Sequence, residues 1–211
     1  MVLIFEKGFS LVLATDQKLG IGKEGQLPWP KLTRDMKHFV KVTRDAHCEN
    51  TIDRPMFFQT EAFFDEPQEH DAPDLKNAVV MGSKTWNSIP KSFRPLKDRI
   101  NIIMTRDIQK FRSTLSLQDQ VDTNIRVYDD FDQMFQSLDS DPEVREIVVI
   151  GGAEVTKICL DEYVNSLKYI VYTRVCEVFG CDVFIEPLDT KIFKQLFISK
   201  TFCDNDVTYD I

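Results

Sequence analysis

Short apolar segments alternate with segments of helical periodicity along most of this chain, and that alternation constrains its fold more than any other feature. The candidate strands are Phe9–Thr15, Ala78–Gly82, Ile100–Thr105, Ile125–Tyr128, Ile147–Ile150 and Tyr169–Val175. There are four candidate helices. One begins at Thr33, two span Lys84–Ile89 and Phe131–Leu138, and the last runs from Gly151-Gly152 to Leu160. Strands that alternate with helices form a mainly parallel sheet covered on both faces. The sequence therefore predicts an α/β fold.

Two further segments complete the predicted architecture. Leu19–Pro30 carries glycines and prolines that argue against a regular element, so we expect a surface loop able to move over a site. Phe193–Cys203 and Val207–Ile211 have the composition of two strands, and Asp204–Asp206 between them is a turn signal. The C-terminal part is thus predicted to form an antiparallel hairpin.

The chain has the length of one domain, because single domains commonly reach about 200–250 residues. Residues 44–76 lose periodicity and gather Asp, Glu, Pro and His, which indicates an insertion with little regular structure. The predicted organisation is a single domain over residues 1–211 with an insertion at 44–76.

The charge balance is acidic, with 26 Lys and Arg against 34 Asp and Glu and a net charge of −8. Such a surface opposes binding to a polyphosphate backbone, so nucleic acid is not an expected partner, although a local basic site can still bind a small anion. No apolar run approaches the ~20 residues that cross a bilayer, so no membrane partner is expected.

Cysteine and histidine usage gives no sign of disulfides or metal. The five cysteines form no Cys-x-x-Cys pair and follow no secretory signal, which indicates reduced thiols and a cytoplasmic location. His47 beside Cys48 is the one suggestion of a zinc site, and the missing ligand spacing disfavours it. We expect no bound metal.

A carboxylate lies on the apolar face of the first predicted helix. That face has the i, i+4, i+7, i+8 spacing of a buried surface and consists of Leu32, Met36, Phe39, Val40 and Thr43. Asp35 lies on the same face, where a carboxylate must be hydrogen-bonded, protonated or waiting for a partner. The alternative is an Asp that the helix dipole stabilises while water partly solvates it. Periodicity leaves both interpretations open.

Three predicted strands end in residues suited to anions, namely Gly151-Gly152, Met81-Gly-Ser-Lys-Thr85 and Met104-Thr-Arg-Asp107. Free backbone N–H groups at a helix start can hold a pyrophosphate, and hydroxyls and cations add contacts. Ligands of open α/β sheets bind beyond the carboxyl ends of strands, so the three ends predict one crevice with anionic contacts. The alternative for the glycines is a tight turn from strand to helix.

A basic loop, Arg94-Pro-Leu-Lys-Asp-Arg99, supplies two guanidinium groups around a turn that Pro95 restricts. That arrangement suits bidentate capture of a carboxylate. The alternative is a solvated loop without a ligand, and the segment by itself does not decide between them.

Together these segments resemble the dihydrofolate reductase family. The matching motifs, in the family's order, are Gly20-Ile-Gly-Lys-Glu-Gly-Gln-Leu-Pro-Trp29 with Asp35, Val79-Val-Met-Gly-Ser-Lys-Thr-Trp-Asn-Ser-Ile-Pro90, Arg94–Arg99 and Ile150-Gly-Gly-Ala-Glu-Val155. The resemblance covers residues 9–43 and 77–211. It implies an eight-stranded, mostly parallel sheet with flanking helices. It also implies NADPH-dependent reduction of 7,8-dihydrofolate to 5,6,7,8-tetrahydrofolate, which supports one-carbon and thymidylate metabolism.

The resemblance implies a site for dihydrofolate and for antifolate inhibitors. Asp35 would hydrogen-bond the pterin with support from Thr173, and Leu27 and Trp29 would complete the catalytic set. The remaining contacts to these ligands would come from Val12, Leu13, Ala14, Met36, Phe39, Ser88, Ile89, Phe93, Leu96 and Ile150. Arg99 would pair with the glutamate α-carboxylate.

The resemblance also implies a site for NADPH. The nicotinamide would be covered by Ala14, Ile21, Gly22 and Gly25, and the pyrophosphate would be held by Gly151, Gly152, Ala153, Glu154 and Val155. The adenosine end and its 2′-phosphate would be contacted by Gly82, Ser83, Lys84, Thr85, Thr105 and Arg106. Two residues depart from the family pattern: Ser83 stands where many members have a cation, and Thr156 stands where a Tyr is usual.

The implied chemistry is hydride transfer to the pterin C6 with protonation at N5. The expected proton source is a water that the loop admits, with Asp35 raising the basicity of the pterin rather than donating directly. The protein's share is orientation in a dry, anionic pocket.

Other interpretations remain beside this one. A pyrimidine reductase of riboflavin synthesis resembles the same fold, but the Leu27-Pro-Trp29 loop with Asp35 argues against it. A non-catalytic folate- or NADPH-binding module is the alternative from another functional class. Val207–Ile211 resembles the family's last strand stopped midway, so we expect the natural chain to continue, with the thymidylate synthase of bifunctional protozoan enzymes as the candidate fusion partner.

Overall fold

The computed structural model describes residues 5–45 and 75–211. Its strands are β1 Phe9–Thr15, β2 Gly20–Gly22, β3 Lys76–Gly82, β4 Arg99–Met104, β5 Ile125–Tyr128, β6 Val144–Gly151, β7 Leu167–Val175, β8 Val183–Phe184, β9 Phe202–Asp204 and β10 Val207–Asp210. Its α-helices are α1 Thr33–Arg44, α2 Ser83–Ser88, α3 Ile108–Ser113, α4 Leu117–Val121, α5 Phe131–Ser140 and α6 Ala153–Glu162, with 3₁₀ turns at Lys91–Phe93 and Val164–Ser166. Most of the predicted insertion at 44–76 and the suggested zinc pair His47–Cys48 lie outside the described residues.

Eight of these strands form one sheet in the order β5-β4-β3-β6-β1-β7-β10-β9. The neighbours from β5 to β1 pair in parallel. β10 pairs antiparallel with both β7 and β9. The predicted mostly parallel sheet with a C-terminal antiparallel hairpin is thereby confirmed.

The described chain divides into two compact units. The first contains residues 5–12 and 75–170, and the second contains residues 13–45 and 171–211. The prediction of a single domain over residues 1–211 stays a prediction.

The core of the first unit is built on strands β3, β4 and β6, whose nearly continuous apolar runs are typical of strands buried on both faces. An aromatic group closes one side of this core. Phe5 stacks on Phe135 with ring centroids 5.1 Å apart, and Phe135 lies 4.9 Å from the ring of Tyr163. This packed core positions the carboxyl ends of the three strands.

The core of the second unit is smaller and joins the loop before α1 to the C-terminal hairpin. Its buried members are Trp29, Leu32, Val175, Phe202, Val207 and Tyr209. The residues that precede α1 are therefore anchored by strands that lie far away in sequence.

The predicted strand Phe193–Cys203 is wrong, because only Phe202–Asp204 forms a strand in this region. The side chains of Ile192 and Leu196 are exposed, and Ser199 donates a 2.8 Å backbone hydrogen bond to Ile211 outside any ladder. Strand-forming composition does not make a strand where no neighbouring strand pairs with it.

The loop Leu19–Pro30 is not wholly irregular, contrary to the prediction, because β2 pairs antiparallel with β8. This close pairing explains the glycine at position 20. A Cβ atom there would lie 2.3 Å from Sγ of Cys181, which is far inside contact distance. The distant partner strand, which local composition cannot reveal, decides the conformation of the loop.

Helix α1 begins at Thr33 as predicted, but its buried face is rotated from the predicted one. Val40 is 43% exposed, and the buried residues instead include His38 and Val42. Burial raises the free energy of the charged imidazolium and lowers the pKa of His38 to about 4. A neutral His38 thus occupies a core position that the apolar pattern assigned to Val40.

Short helices α3 and α4 follow β4 and were not predicted. Each has a side-chain cap: Asp107 accepts a hydrogen bond from the amide of Lys110, and Ser116 accepts one from the amide of Asp119. Within residues 5–45 and 75–211, no helix is long and apolar enough to cross a membrane.

Candidate active site

Asp35 lies in the first turn of α1 and is buried, with 6% of its surface exposed. The hydroxyl of Thr173, on β7, donates a 2.7 Å hydrogen bond to Oδ1 of Asp35. Both residues belong to the second unit. Asp35 is therefore a buried, hydrogen-bonded carboxyl and not the partly solvated residue of the alternative interpretation.

The surroundings of Asp35 favour its neutral form. Burial raises the pKa of Asp35, the hydrogen bond from Thr173 lowers it by less, and the negative charge of Asp204 raises it further. The pKa of the carboxyl therefore lies above its ordinary value. A carboxylate in this position is stabilised when hydrogen-bond donors of a ligand approach it.

The other residues predicted near the pterin vary in exposure. In the second unit Leu13 is buried, whereas Ala14, Met36 and Phe39 are half-buried. In the first unit Leu96 is buried, Val12, Ile89 and Ile150 are half-buried, and Ser88 and Phe93 are exposed. The hydroxyl of Ser88 donates to the carbonyl of Thr85 at 2.7 Å, within the same short helix.

The loop before α1 has one anchored and one exposed member among its predicted catalytic residues. Trp29 is buried and meets Phe179 edge to face at 6.1 Å. Leu27 is 55% exposed. Gly25 has a φ of +76°, which favours glycine, although a Cβ atom built there would contact nothing within 4 Å.

The buried Asp16 ties the start of this loop to the segment after β7, and sequence reasoning missed it. Its carboxylate accepts hydrogen bonds from the amides of Lys18, Gly20 and Phe179. Burial raises the pKa of Asp16, but these donors together lower it below its ordinary value. An acidic residue directly after an apolar strand was the available signal.

Strands β4, β3 and β6 are neighbours, and their carboxyl ends meet at one edge of the sheet. Gly82 pairs with Met104, and Met81 pairs with Gly151. The three strand ends that the sequence marked for anion contacts are therefore brought together within the first unit.

Helices α2 and α6 begin beside each other at this edge. A Cβ atom on Gly152 would lie 3.1 Å from the hydroxyl of Thr85, and one on Gly82 would lie 3.4 Å from Val155. Gly151 has a φ of +98°, which L side chains rarely adopt. The glycines thus permit the tight turn, and the interpretation that the first N–H groups of α6 hold a pyrophosphate stays a prediction.

Thr156 adds an unsatisfied hydroxyl at the same turn. The residue is 1% exposed, and its Oγ1 has no hydrogen-bond partner. That oxygen would lie 3.5 Å from a Cβ atom on Gly151. A buried hydroxyl without a partner costs free energy, which a ligand at the turn can recover.

The predicted cations of the cofactor end are exposed. A guanidinium nitrogen of Arg106 lies 3.9 Å from a carboxylate oxygen of Glu154, in an ion pair whose side chains are 88% and 68% exposed. Lys84 is exposed, while Ser83 and Thr105 are half-buried. Such an open ion pair holds Arg106 only weakly.

The two guanidinium groups of the basic loop differ. Arg99 is 6% exposed, and its Nε donates to the carbonyl of Lys97 at 2.9 Å. Arg94 instead donates to the carbonyl of Trp86 and lies 5.5 Å over its ring, so it supports α2.

The side chain of Asn101 shapes the loop that leads to Arg99, and sequence reasoning missed it. Its amide group donates to the carbonyls of Leu96 and Arg99, and its oxygen accepts from the amide of Leu96 at 2.8 Å. The signal was a polar residue within the apolar strand Ile100–Met104.

Comparison with known sequences assigns the family. Residues 71–211 match the family model described as dihydrofolate reductase. The chain is 30% identical to the dihydrofolate reductase of Gallus gallus and 31% identical to that of Schistosoma mansoni. These alignments cover 90% and 95% of this chain, and 84% and 91% of the relatives.

It is also 32% identical to the bifunctional dihydrofolate reductase-thymidylate synthase of Plasmodium chabaudi, over 90% of this chain and 32% of that protein. The chain thus spans about a third of the bifunctional relative. Its match to the family covers most of the two single-function relatives as well. The chain belongs to the dihydrofolate reductase family, whose members are oxidoreductases that use NADPH.

Proposed function

We propose that this protein reduces 7,8-dihydrofolate to 5,6,7,8-tetrahydrofolate with NADPH, and that Asp35 binds the pterin. The observation that carries the proposal is the buried carboxylate of Asp35 held by Thr173 at 2.7 Å. A buried carboxylate with one hydroxyl donor retains capacity for further donors, because a carboxylate has about four acceptor positions.

Asp35 acts on the pterin through hydrogen bonds. The N–H donors on the pyrimidine edge of the pterin satisfy the carboxylate, and its negative charge raises the basicity of the bound ring. Protonation at N5 from water then becomes easier before hydride reaches C6. Thr173 keeps the carboxylate oriented, since its hydroxyl occupies Oδ1.

The first unit offers a fitting cradle for the dinucleotide. The unsatisfied hydroxyl of Thr156, the first N–H groups of α6, which no N-cap side chain binds, and the hydroxyl of Thr85 beside Gly152 are donors suited to phosphate oxygens. Arg106 and Lys84 would add positive charge for the 2′-phosphate. When bound, NADPH supplies the hydride, while these residues bind and orient it.

Arg99 is the proposed partner of the substrate's glutamate. Its burial and its hydrogen bond to Lys97 restrict the guanidinium, so less entropy is lost when a carboxylate binds. Asn101 supports this arrangement by holding the backbone on both sides of the basic loop.

Two broader assignments accompany this proposal. The match to bifunctional relatives supports fusion to, or association with, a thymidylate synthase, and this chain corresponds to about a third of such a protein. A cytoplasmic location is supported by cysteines that are free in the described chain, namely Cys159, Cys176, Cys181 and Cys203.

The test follows loss of NADPH absorbance with and without dihydrofolate. According to the proposal, NADPH is consumed when dihydrofolate is present and not when it is absent. Asp35→Asn should lower the rate of hydride transfer at neutral pH about ten-fold or more. NADPH binding, measured by fluorescence, should be nearly unchanged in that variant. Tight binding of NADPH without turnover in the parent protein would favour the non-catalytic module instead.

A further inference from the structure

We infer that Asp204, on the distant C-terminal hairpin, is a positioning residue for Asp35. The inference rests on the proposed function of Asp35. Asp204 completes the first turn of α1 and holds a negative charge beside the reactive carboxyl. No sequence motif marks this role, because Asp204 appears only as part of a turn signal.

Helix α1 lacks a capping side chain of its own. Its N-cap residue is Leu32, which makes no side-chain hydrogen bond to the first turn. The first backbone N–H groups of a helix have no partner within the helix and need an acceptor from elsewhere. Caps are usually Ser, Thr, Asp or Asn at the N-cap position, so Leu32 leaves this requirement unmet.

Asp204 meets the requirement from a position far along the chain. Its Oδ2 accepts a hydrogen bond from the backbone N–H of Arg34 at 3.2 Å. The next turn residue, Asn205, donates from its side chain to the carbonyl of Lys31 at 2.7 Å. The hairpin turn therefore holds the chain on both sides of the N-cap.

Contacts within the hairpin hold Asp204 in position. Asn205 and Asp206 have φ values of +51° and +61°, which fit a tight two-residue turn between β9 and β10. The Tyr209 hydroxyl donates to Oδ2 of Asp204 at 2.7 Å. The ring of Phe202 lies 5.2 Å under the guanidinium of Arg34 and so fixes the same turn of helix.

Asp35 comes directly after Arg34, so a shift of this turn would move the carboxyl away from Thr173. Within residues 5–45 and 75–211, Asp204 and Tyr209 of the hairpin are the titratable groups that act on Asp35 or respond to it. On α1 itself, Arg34 is adjacent in sequence and the buried His38 follows one turn later. Burial raises the pKa of Asp35 most, and the charge of Asp204 acts in the same direction. Hydrogen bonds, chiefly from Tyr209 and then Arg34, hold the pKa of Asp204 below its ordinary value despite burial. Asp204 therefore stays ionised, while Asp35 in the ligand-free protein tends to hold its proton until the hydrogen-bond donors of the pterin approach it.

The test compares Asp204→Asn with Asp206→Asn. Both substitutions remove one negative charge from the same turn, but Asp206 is exposed and tolerates Asn at a positive φ. The asparagine at position 204 keeps an oxygen that can accept from Arg34 and Tyr209. The first measurement is the pH dependence of the single-turnover hydride-transfer rate.

Hydride transfer requires the proton that the bound pterin and Asp35 hold together, so the rate falls as pH rises and this proton is lost. The negative charge of Asp204 helps to retain that proton. We expect Asp204→Asn to move the fall in rate to lower pH, with transfer at pH 8 slowed about two-fold or more and the low-pH plateau preserved. Asp206→Asn should follow the parent curve. Superimposable curves for Asp204→Asn and the parent would overturn the inference. A lower plateau with no movement along the pH axis would also overturn it, because that result indicates a purely structural role.

The second measurement is hydrogen exchange of the Arg34 amide, which does not depend on turnover. The Arg34 amide should exchange faster in Asp204→Ala than in the parent protein. Asp204→Ser keeps a hydrogen-bond acceptor and should restore part of the protection. Unchanged exchange in Asp204→Ala would overturn the inference even if the enzyme is active. If the parent lacks turnover but Asp204→Ala loses protection, the proposed function fails while the contact to α1 stands.

Discussion

The hydroxyl of Thr173 lies 2.7 Å from Oδ1 of Asp35 and joins β7 to the first turn of α1. This hydrogen bond stabilises the charged form of the Asp35 carboxyl, whereas burial destabilises that form by more. The protein therefore maintains a destabilising group at the position where the proposed substrate binds. Such a group is expected to trade stability for function.

The stability of the ligand-free protein should reflect this trade. The raised pKa of Asp35 means that the folded state holds its proton more tightly than the unfolded state does. Stability from this group is therefore full below the ordinary Asp pKa of about 4 and is lost as pH rises toward the folded-state pKa. Asp35→Asn should raise the Tm at pH 7, by about 2–4 °C for each kcal/mol recovered, with a smaller gain at pH 4. A gain that is equal at both pH values would contradict the pKa direction.

Arg99→Leu should weaken binding of folate far more than binding of a small diaminopyrimidine inhibitor. Only folate carries the α-carboxylate, and loss of a charged hydrogen-bonded contact costs about 2–3 kcal/mol. Calorimetry with both ligands measures the difference. Arg94→Leu is the control, because its guanidinium is engaged with Trp86 and should affect the two ligands alike. Equal losses in Arg99→Leu would indicate that Arg99 acts on structure alone.

Thr156→Val should change ligand-free stability and cofactor affinity in opposite directions. Removing a buried hydroxyl without a partner should raise the Tm. Loss of a donor to the bound cofactor should lower the affinity for NADPH about three- to ten-fold. Ser10→Ala is the matched control, since Ser10 carries another buried, unsatisfied hydroxyl in the same unit. It should leave NADPH affinity unchanged. Parent-like NADPH affinity in Thr156→Val would remove the hydroxyl from the cofactor site.

Cofactor choice should depend on Arg106 despite its ion pair with Glu154. Arg106→Ala should lower kcat/KM with NADPH and leave kcat/KM with NADH almost unchanged, because only NADPH carries the 2′-phosphate. Ser83→Arg should raise selectivity for NADPH by adding a cation at the start of α2. Glu154→Gln should also favour NADPH, since it releases Arg106 from an exposed pair at 3.9 Å. If Arg106→Ala lowers kcat/KM equally with NADPH and with NADH, the 2′-phosphate site must lie elsewhere.

The sequence by itself determined the elements whose signals are local. The apolar runs of β3, β4 and β6 predict buried parallel strands, and the Gly-Gly step before α6 predicts a tight turn. Position 35 could also be recognised, because a carboxylate within an apolar helical face is a visible anomaly. These signals depend on neighbours a few residues apart, so composition and spacing suffice to find them.

Only the tertiary structure decided the groups that complete the site. The cap of α1 comes from Asp204, β2 is a strand because β8 pairs with it, and residues 193–201 are not a strand because no neighbour pairs with them. The burial of His38 instead of Val40 likewise became visible only in the folded structure. Hydrogen bonds between residues distant in sequence satisfy backbone groups that local propensity leaves open, and a single sequence does not record which distant residue supplies the partner.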